Sequence, residues 1–263
     1  GREATAPALR DELAELQATM TVGEGRTWAA VTSFAPRVLT ALSATGLVVR
    51  GRNDADWRRS RPTWCLAETW LGEAPPSVDA ADAHDELVRR WLARFGPGTD
   101  RDLAWWLGGT LRDVRRSLGV LGAVEVDLED GTTGYVLPDD VEAERPVEPW
   151  AALLPQLDAT TMGWTARAWY LGEHRDWVFD NVGNAGTTAW WDGRIVGGWH
   201  QDADGVVELA LLEDVGADAA RALAAEAERL TGWLEGVLLS TVWTSPLMAA
   251  HAIERTGRKR SRR

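Results

Sequence analysis

The sequence predicts an α+β protein. Two successive helix-then-hairpin modules, residues 1–78 and 79–145, precede a small tryptophan-rich, β-barrel-like domain with one long helix at 146–250 and a basic tail at 251–263. Three observations carry that expectation. Twice along the chain, apolar residues at helical spacing give way to alternation around a turn. Between Pro149 and Trp199 lie Trp150, Trp164, Trp169, Trp177, Trp190, Trp191 and Trp199, seven of the sixteen tryptophans, with Asp-Gly turns at 192–193 and 204–205 toward the end of the stretch. Finally, an alanine-rich run from Ala217 to Trp233 has the Glu/Arg spacing of a stable helix.

The first module opens with Pro7 to Leu16, which places Leu9, Leu13 and Leu16 on one helical face. Val22 to Gly25 reads as a glycine-containing linker. A second helix is expected from Phe34 to Ser43, capped by Ser33, with Phe34, Val38, Leu39 and Leu42 inward and Gly46 just past its end. Leu47 to Arg50 starts a strand and Asn53-Asp54 turns the chain. Trp57 to Trp64 returns as a strand that Pro62 assigns to a sheet edge.

The order then repeats. Asp82 to Phe95 is amphipathic, Thr99 caps a helix from Asp100 to Leu107, and Thr110 caps another from Leu111 to Leu121, closed by Gly122. Val124 to Leu137 alternates around Asp130-Gly131, a hairpin signal. Three helices and a hairpin in this order describe a winged helix, the helix-turn-helix variant whose last helix can enter a DNA major groove. The first copy fits the same template without its opening helix, which predicts that a portion of the protein precedes Gly1. In the third region short strands are expected at Leu153-Leu154, Thr187 to Trp191, Arg194 to Gln201, Val206 to Leu212 and Val237 to Trp243. A final helical turn begins at Ser245. Placing the indoles on Asp-Gly hairpins predicts that most of them fill the core.

Composition excludes several classes. The chain is 45% apolar and 26% charged, with no apolar run long enough for a membrane helix and no signal-peptide pattern. Cys65 is the only cysteine, so no internal disulfide can form and a reducing, cytoplasmic setting is expected. A monomer is also expected. The net charge is −12, yet Arg26 to Arg61 holds seven arginines against two aspartates, and the tail from Arg255 is basic again.

Those arginines are the candidate DNA-binding residues. Arg50, Arg52, Arg58, Arg59 and Arg61 flank the first hairpin, with Arg37 on the preceding helix as an accessory. Arg112, Arg115 and Arg116 project from the third helix of the second module, where they serve either as phosphate and guanine forks or as an ordinary solvated face. Acidic Asp127, Glu129 and Asp130 on the neighbouring hairpin oppose DNA there. Asp158 reads as a turn cap or an arginine partner, and Asp192 as turn chemistry. His84, His174, His200 and His251 lack metal-ligand spacing, with His174 read as exposed. No nucleotide-binding glycine loop or nucleophilic triad is visible, so no metal and no cofactor is expected.

Together with Leu154 to Trp164 and the Trp190 to Trp199 hairpin, the two modules make the chain resemble the bacterial alkylpurine and interstrand-crosslink DNA glycosylases, the AlkZ-like family, from roughly Leu9 to Trp243. That resemblance implies tandem winged helices, a C-terminal β-barrel and double-stranded DNA as partner. In the family, a glutamine–apolar–glutamine or glutamine–apolar–aspartate motif in the first winged helix performs catalysis. Gln17, Gln156 and Gln201, the glutamines present, do not form it, so no catalytic residue is assigned and the motif is expected upstream of Gly1. The alternatives are a non-catalytic DNA-binding protein of the same architecture and a protein-interaction module.

Overall fold

The structure, a computed structural model, describes residues 2–27, 29–240 and 244–251. The chain divides into two compact units, Gly1–Val78 and Asp79–Arg263. Residues 252–263 of the basic tail lie outside the described residues.

In the first unit, β1 (Ala4–Thr5) leads into α1 (Ala6–Glu12), whose Ala8 N–H donates to the Thr5 hydroxyl while Pro7 occupies the first turn. A short 3-10 turn, Ala14–Leu16, buries Leu16. The expected linker at Val22 to Gly25 is instead the turn of a hairpin. Its strands β2 (Thr19–Val22) and β3 (Ala30–Ser33) pair antiparallel from Thr19↔Ser33 to Val22↔Ala30. β-Branched Thr19, Thr21, Val22, Val31 and Thr32 favour the pleat, and Gly23 and Gly25 supply the positive φ of the turn.

Helix α2 (Ala35–Ala44) buries Ala35 and Leu39, and the Ser33 hydroxyl accepts from the Ala35 N–H at 3.3 Å. Phe34, expected inward, precedes the helix and is exposed. Strands β4 (Val48–Asn53) and β5 (Pro62–Leu66) follow, then α3 (Ala67–Leu71). The sheet order is β1-β5-β4, so β5 is central and not an edge. Pro62 is tolerated because it is the strand's first residue, and β1 pairs only with Thr63 and Trp64.

In the second unit, α4 (Ala80–Phe95) starts at Asp79, which accepts from the Ala81 N–H. Helices α5 (Asp100–Leu107) and α6 (Leu111–Leu121) have the bounds that their caps predict, with Thr99 and Thr110 at the N-termini and left-handed Gly108 and Gly122 at the C-termini. Strands β6 (Val124–Asp127) and β7 (Thr133–Val136) form the expected hairpin.

Beyond Pro149 the described strands make an open antiparallel sheet rather than a barrel: β8 (Ala151–Leu154), β9 (Thr188–Trp191), β10 (Arg194–Gln201) and β11 (Val207–Leu211), in the order β11-β10-β9-β8. Short helices α7 (Ala168–Leu171) and α8 (Arg175–Val178) interrupt the sequence between β8 and β9, and α9 (Gly216–Leu234) follows β11. Residues 237–240 of the expected last strand are not a strand, while residues 241–243 lie outside the described residues. Residues 246–251 are helical.

Four strands are too few to close, and both faces are covered instead. Leu153, Ala189, Val196 and Trp199 pack with Leu223, Ala227 and Leu234 of α9. On the other face Trp190 and Ile195 share one core with Val88, Trp91 and Leu92 of α4, Leu103 of α5 and Val114 of α6. The segments on either side of Arg145 are therefore packed around common apolar residues.

Candidate nucleic-acid interface

The first unit presents its arginines on a loop whose backbone is fixed by one side chain. The Asn53 amide donates to the carbonyls of Ala55, Asp56 and Arg59 at 2.9–3.0 Å, and its oxygen accepts from the Arg61 N–H at 2.7 Å. Residues 54–61 are thereby held as a defined tip between β4 and β5. Arg58, Arg59 and Arg61 are all exposed on it. Arg58 forks onto Asp56, whose carboxyl is held below its ordinary range chiefly by that side-chain hydrogen bond, and Arg61 lies 3.5 Å from Asp54. Among the described residues Arg59 makes no ion pair, although its charge also acts on Asp56.

Elsewhere in this unit Arg50 stacks over the Trp64 ring at 5.5 Å, and Arg52 sits 3.8 Å from Glu3. The Glu3 carboxyl also accepts from the Thr63 hydroxyl and the Arg52 N–H, which together lower its pKa. Exposed Arg37 stands on the first turn of α2, again without an acidic partner among the described residues. The nearby aspartates reduce the charge that composition promised, but exposed pairs of this kind are worth only about 0–1 kcal/mol and exchange readily for a phosphate.

On α6 the three candidates separate. Arg112 is exposed and unpaired among the described residues. Arg115 binds Asp100 of α5 at 2.7 Å. Arg116 holds Asp85 of α4 at 2.8 Å and donates to the Ala81 carbonyl, while Ser117 donates to the same Asp85 carboxylate. The Asp85 carboxyl is held below its ordinary range, first by the Ser117 hydroxyl and then by Arg116. Arg116 thus fastens α6 to α4, a role that spacing within α6 could not reveal.

The remaining candidates are structural. Asp158 accepts from the Thr160 N–H at 2.8 Å, a turn cap, and Asp192 adopts φ 46° in its hairpin. His174, expected exposed, is largely buried and hydrogen-bonded to Glu213 at 2.7 Å, because Glu213 follows β11 and reaches back to it. Buried Gln201 ties the β10–β11 turn to residues 237–239 through Gly205, Val237 and Leu239. Asp130 braces the second hairpin by accepting from Thr132.

The tryptophans depart from the expectation of a filled barrel. Trp164, Trp190 and Trp199 are buried and Trp191 is partly covered, whereas Trp150, Trp169 and Trp177 are exposed. Trp190 and Trp191 do point to opposite faces of β9, yet each meets a core. With an open sheet there is no barrel interior to take the others.

Among the described residues no helix is long and apolar enough to cross a membrane, and no three or more His, Cys, Asp or Glu side chains gather as a metal site. The family described as "DNA glycosylase AlkZ-like" matches residues 1–233. Among solved structures, Streptomyces sahachiroi DNA glycosylase AlkZ is similar, with a TM-score of 0.63 at 23% identity over 86% of this chain and 67% of that one. No curated protein matches the chain.

Proposed function

Because the chain belongs to the AlkZ-like DNA glycosylase family, we propose that it binds double-stranded DNA through its helix-then-hairpin modules, acting as winged helices, as part of an enzyme that excises alkylated purines and unhooks interstrand crosslinks. The Asn53-braced loop is the observation that carries this reading: a rigid hairpin tip that holds Arg58, Arg59 and Arg61 outward is suited to the phosphates beside a groove. Arg37, Arg59 and Arg112 are immediately available. Arg58 and Arg61 become available as their exposed aspartates yield to phosphate, while Arg50 over Trp64, Arg52 beside Glu3 and Arg115 on Asp100 offer phosphate the face left open by partners that are more covered. Arg116 contributes by holding α6.

In such a reaction the N-glycosidic bond of a cationic, alkylated purine breaks with little need for acid catalysis at the base, because the leaving group is already activated. No residue of this chain is proposed as catalytic. The protein-interaction alternative rests on the net charge of −12 and is disfavoured by the family match.

Duplex binding measured against salt tests the proposal. Reversing Arg58, Arg59 and Arg61 to Glu should weaken binding and lower the log–log salt slope by about 0.9 for each phosphate that is no longer neutralised. Unchanged affinity and slope would overturn the role of the arginine loop, and absence of salt-dependent duplex binding by the wild type would overturn the DNA-binding reading. Incubation with alkylated and crosslinked duplexes, scored for abasic sites, tests the glycosylase reading separately.

A further inference from the structure

A second pair of arginines, in the unit Asp79–Arg263, lines a cavity of about 350 Å³ together with Trp105, Thr165 and Gly183. Arg167 is half-buried there. Its guanidinium lies 5.0 Å from the Trp105 ring centroid and 4.5 Å from that of Phe179. Its Nε donates to the Trp164 carbonyl at 2.5 Å, and among the described residues its Nη hydrogens have no acceptor.

Among the described residues no carboxylate forms an ion pair with Arg167, although Tyr170 and Asp102 favour its charged form. Asp102, whose charge also reaches it, already accepts from the Thr99 N–H, the Thr99 hydroxyl and the N–H groups of Thr165 and Ala166. Arg175 adds repulsion, and its own acidic neighbour, exposed Asp176, stands 3.9 Å away. Burial, opposed by Tyr170 and Asp102 and reinforced by Arg175, lowers the Arg167 pKa. Keeping two like charges beside one cavity, one of them half-desolvated, is costly unless an anion completes the site. In-plane guanidinium hydrogens match the oxygens of a phosphate.

We propose that this cavity binds a backbone phosphodiester of DNA, gripped by Arg167 and Arg175, at a site additional to the arginine loop of the first unit. Trp105 lines the cavity and stays 44% exposed, leaving aromatic surface for an adjoining base. The assignment rests on the DNA-binding reading above and adds residues that local spacing could not associate, since Trp105 and Arg167 meet only through the fold.

The test uses the full chain and a labelled duplex titrated with salt. Arg175→Gln should lower the log–log slope by about 0.9. Arg167→Lys keeps the charge but loses the fork, so it should weaken binding about tenfold with little change in slope. Circular dichroism checks that each variant folds, and exposed Arg175 carries the test if Arg167→Lys does not. Wild-type binding with no change in a folded variant overturns the cavity assignment and leaves the arginine loop standing. Absence of salt-dependent duplex binding by the wild type overturns both. Inorganic phosphate that raises the melting temperature of the wild type but not of Arg175→Gln, with duplex binding equal in the two, identifies a free-anion site and overturns the nucleic-acid assignment.

Discussion

The carboxylate of Asp102 accepts a hydrogen bond from the backbone N–H of Thr165 at 2.8 Å, across sixty-three residues of chain. The same buried side chain completes a capping box with Thr99 at the start of α5 and accepts from the Ala166 N–H at 3.0 Å. One residue thus starts a helix and anchors the segment that leads into Arg167.

Asp102→Ala removes the side-chain half of the capping box, leaving the Thr99 cap on the residue-102 N–H, and takes the acceptor from the part-buried N–H groups of Thr99, Thr165 and Ala166. Each hydrogen bond lost is worth about 0.5–1.5 kcal/mol net, so a loss of about 2 kcal/mol is expected. Urea unfolding reads this as a lower midpoint at constant m-value. A loss below about 1 kcal/mol would mean that the 165–166 segment finds other acceptors.

Asn53→Ala leaves every charge in place and frees the loop that carries Arg58, Arg59 and Arg61. Ordering that loop then becomes a cost of binding, so duplex affinity should fall several-fold while the salt slope is retained. A changed slope would indicate altered phosphate contacts instead of reduced preorganisation.

Two glycines make a contrasting pair. A Cβ on Gly98 would stand 2.3 Å from the Trp91 indole, which is buried, so Gly98→Ala should destabilise the fold by about 1–3 kcal/mol. Gly119 lies within α6 with open space around its would-be Cβ, so Gly119→Ala should stabilise by about 0.5–1 kcal/mol. Thermal melts of the two variants should move in opposite directions.

Both tyrosines have phenol pKa values above the ordinary one, in each case mainly through burial, and Tyr170 also donates from its hydroxyl to the Thr161 carbonyl at 2.9 Å. A raised folded-state pKa contributes stability below the unfolded value, and that contribution is lost as pH rises beyond it toward the folded value. Stability should therefore decline above about pH 10, the ordinary phenol pKa. Tyrosinate absorbance should follow the loss of native circular dichroism for Tyr170. Ionisation of both phenols near the ordinary value in the folded protein would contradict this.

Features fixed within a few residues are legible in the sequence. Thr99 and Thr110 with Gly108 and Gly122 bound α5 and α6, because a cap satisfies backbone groups only one turn away. The β2–β3 hairpin is not legible, since Gly23 and Gly25 resemble a linker and the alternation beside them is short. In the sequence Arg116 is equivalent to Arg112 on α6; only folding brings Asp85 of α4 within its reach.

The sequence by itself determined the helix caps, the Asp-Gly turns, the concentration of arginines between Arg26 and Arg61 and the resemblance to a DNA glycosylase family. Tertiary structure alone decided that the four strands stay open, that three of the seven clustered indoles are buried while three face solvent, and which arginines are paired. The reason is range: φ preferences and capping bonds act within a turn of helix, whereas burial and ion pairing depend on partners that only folding brings near.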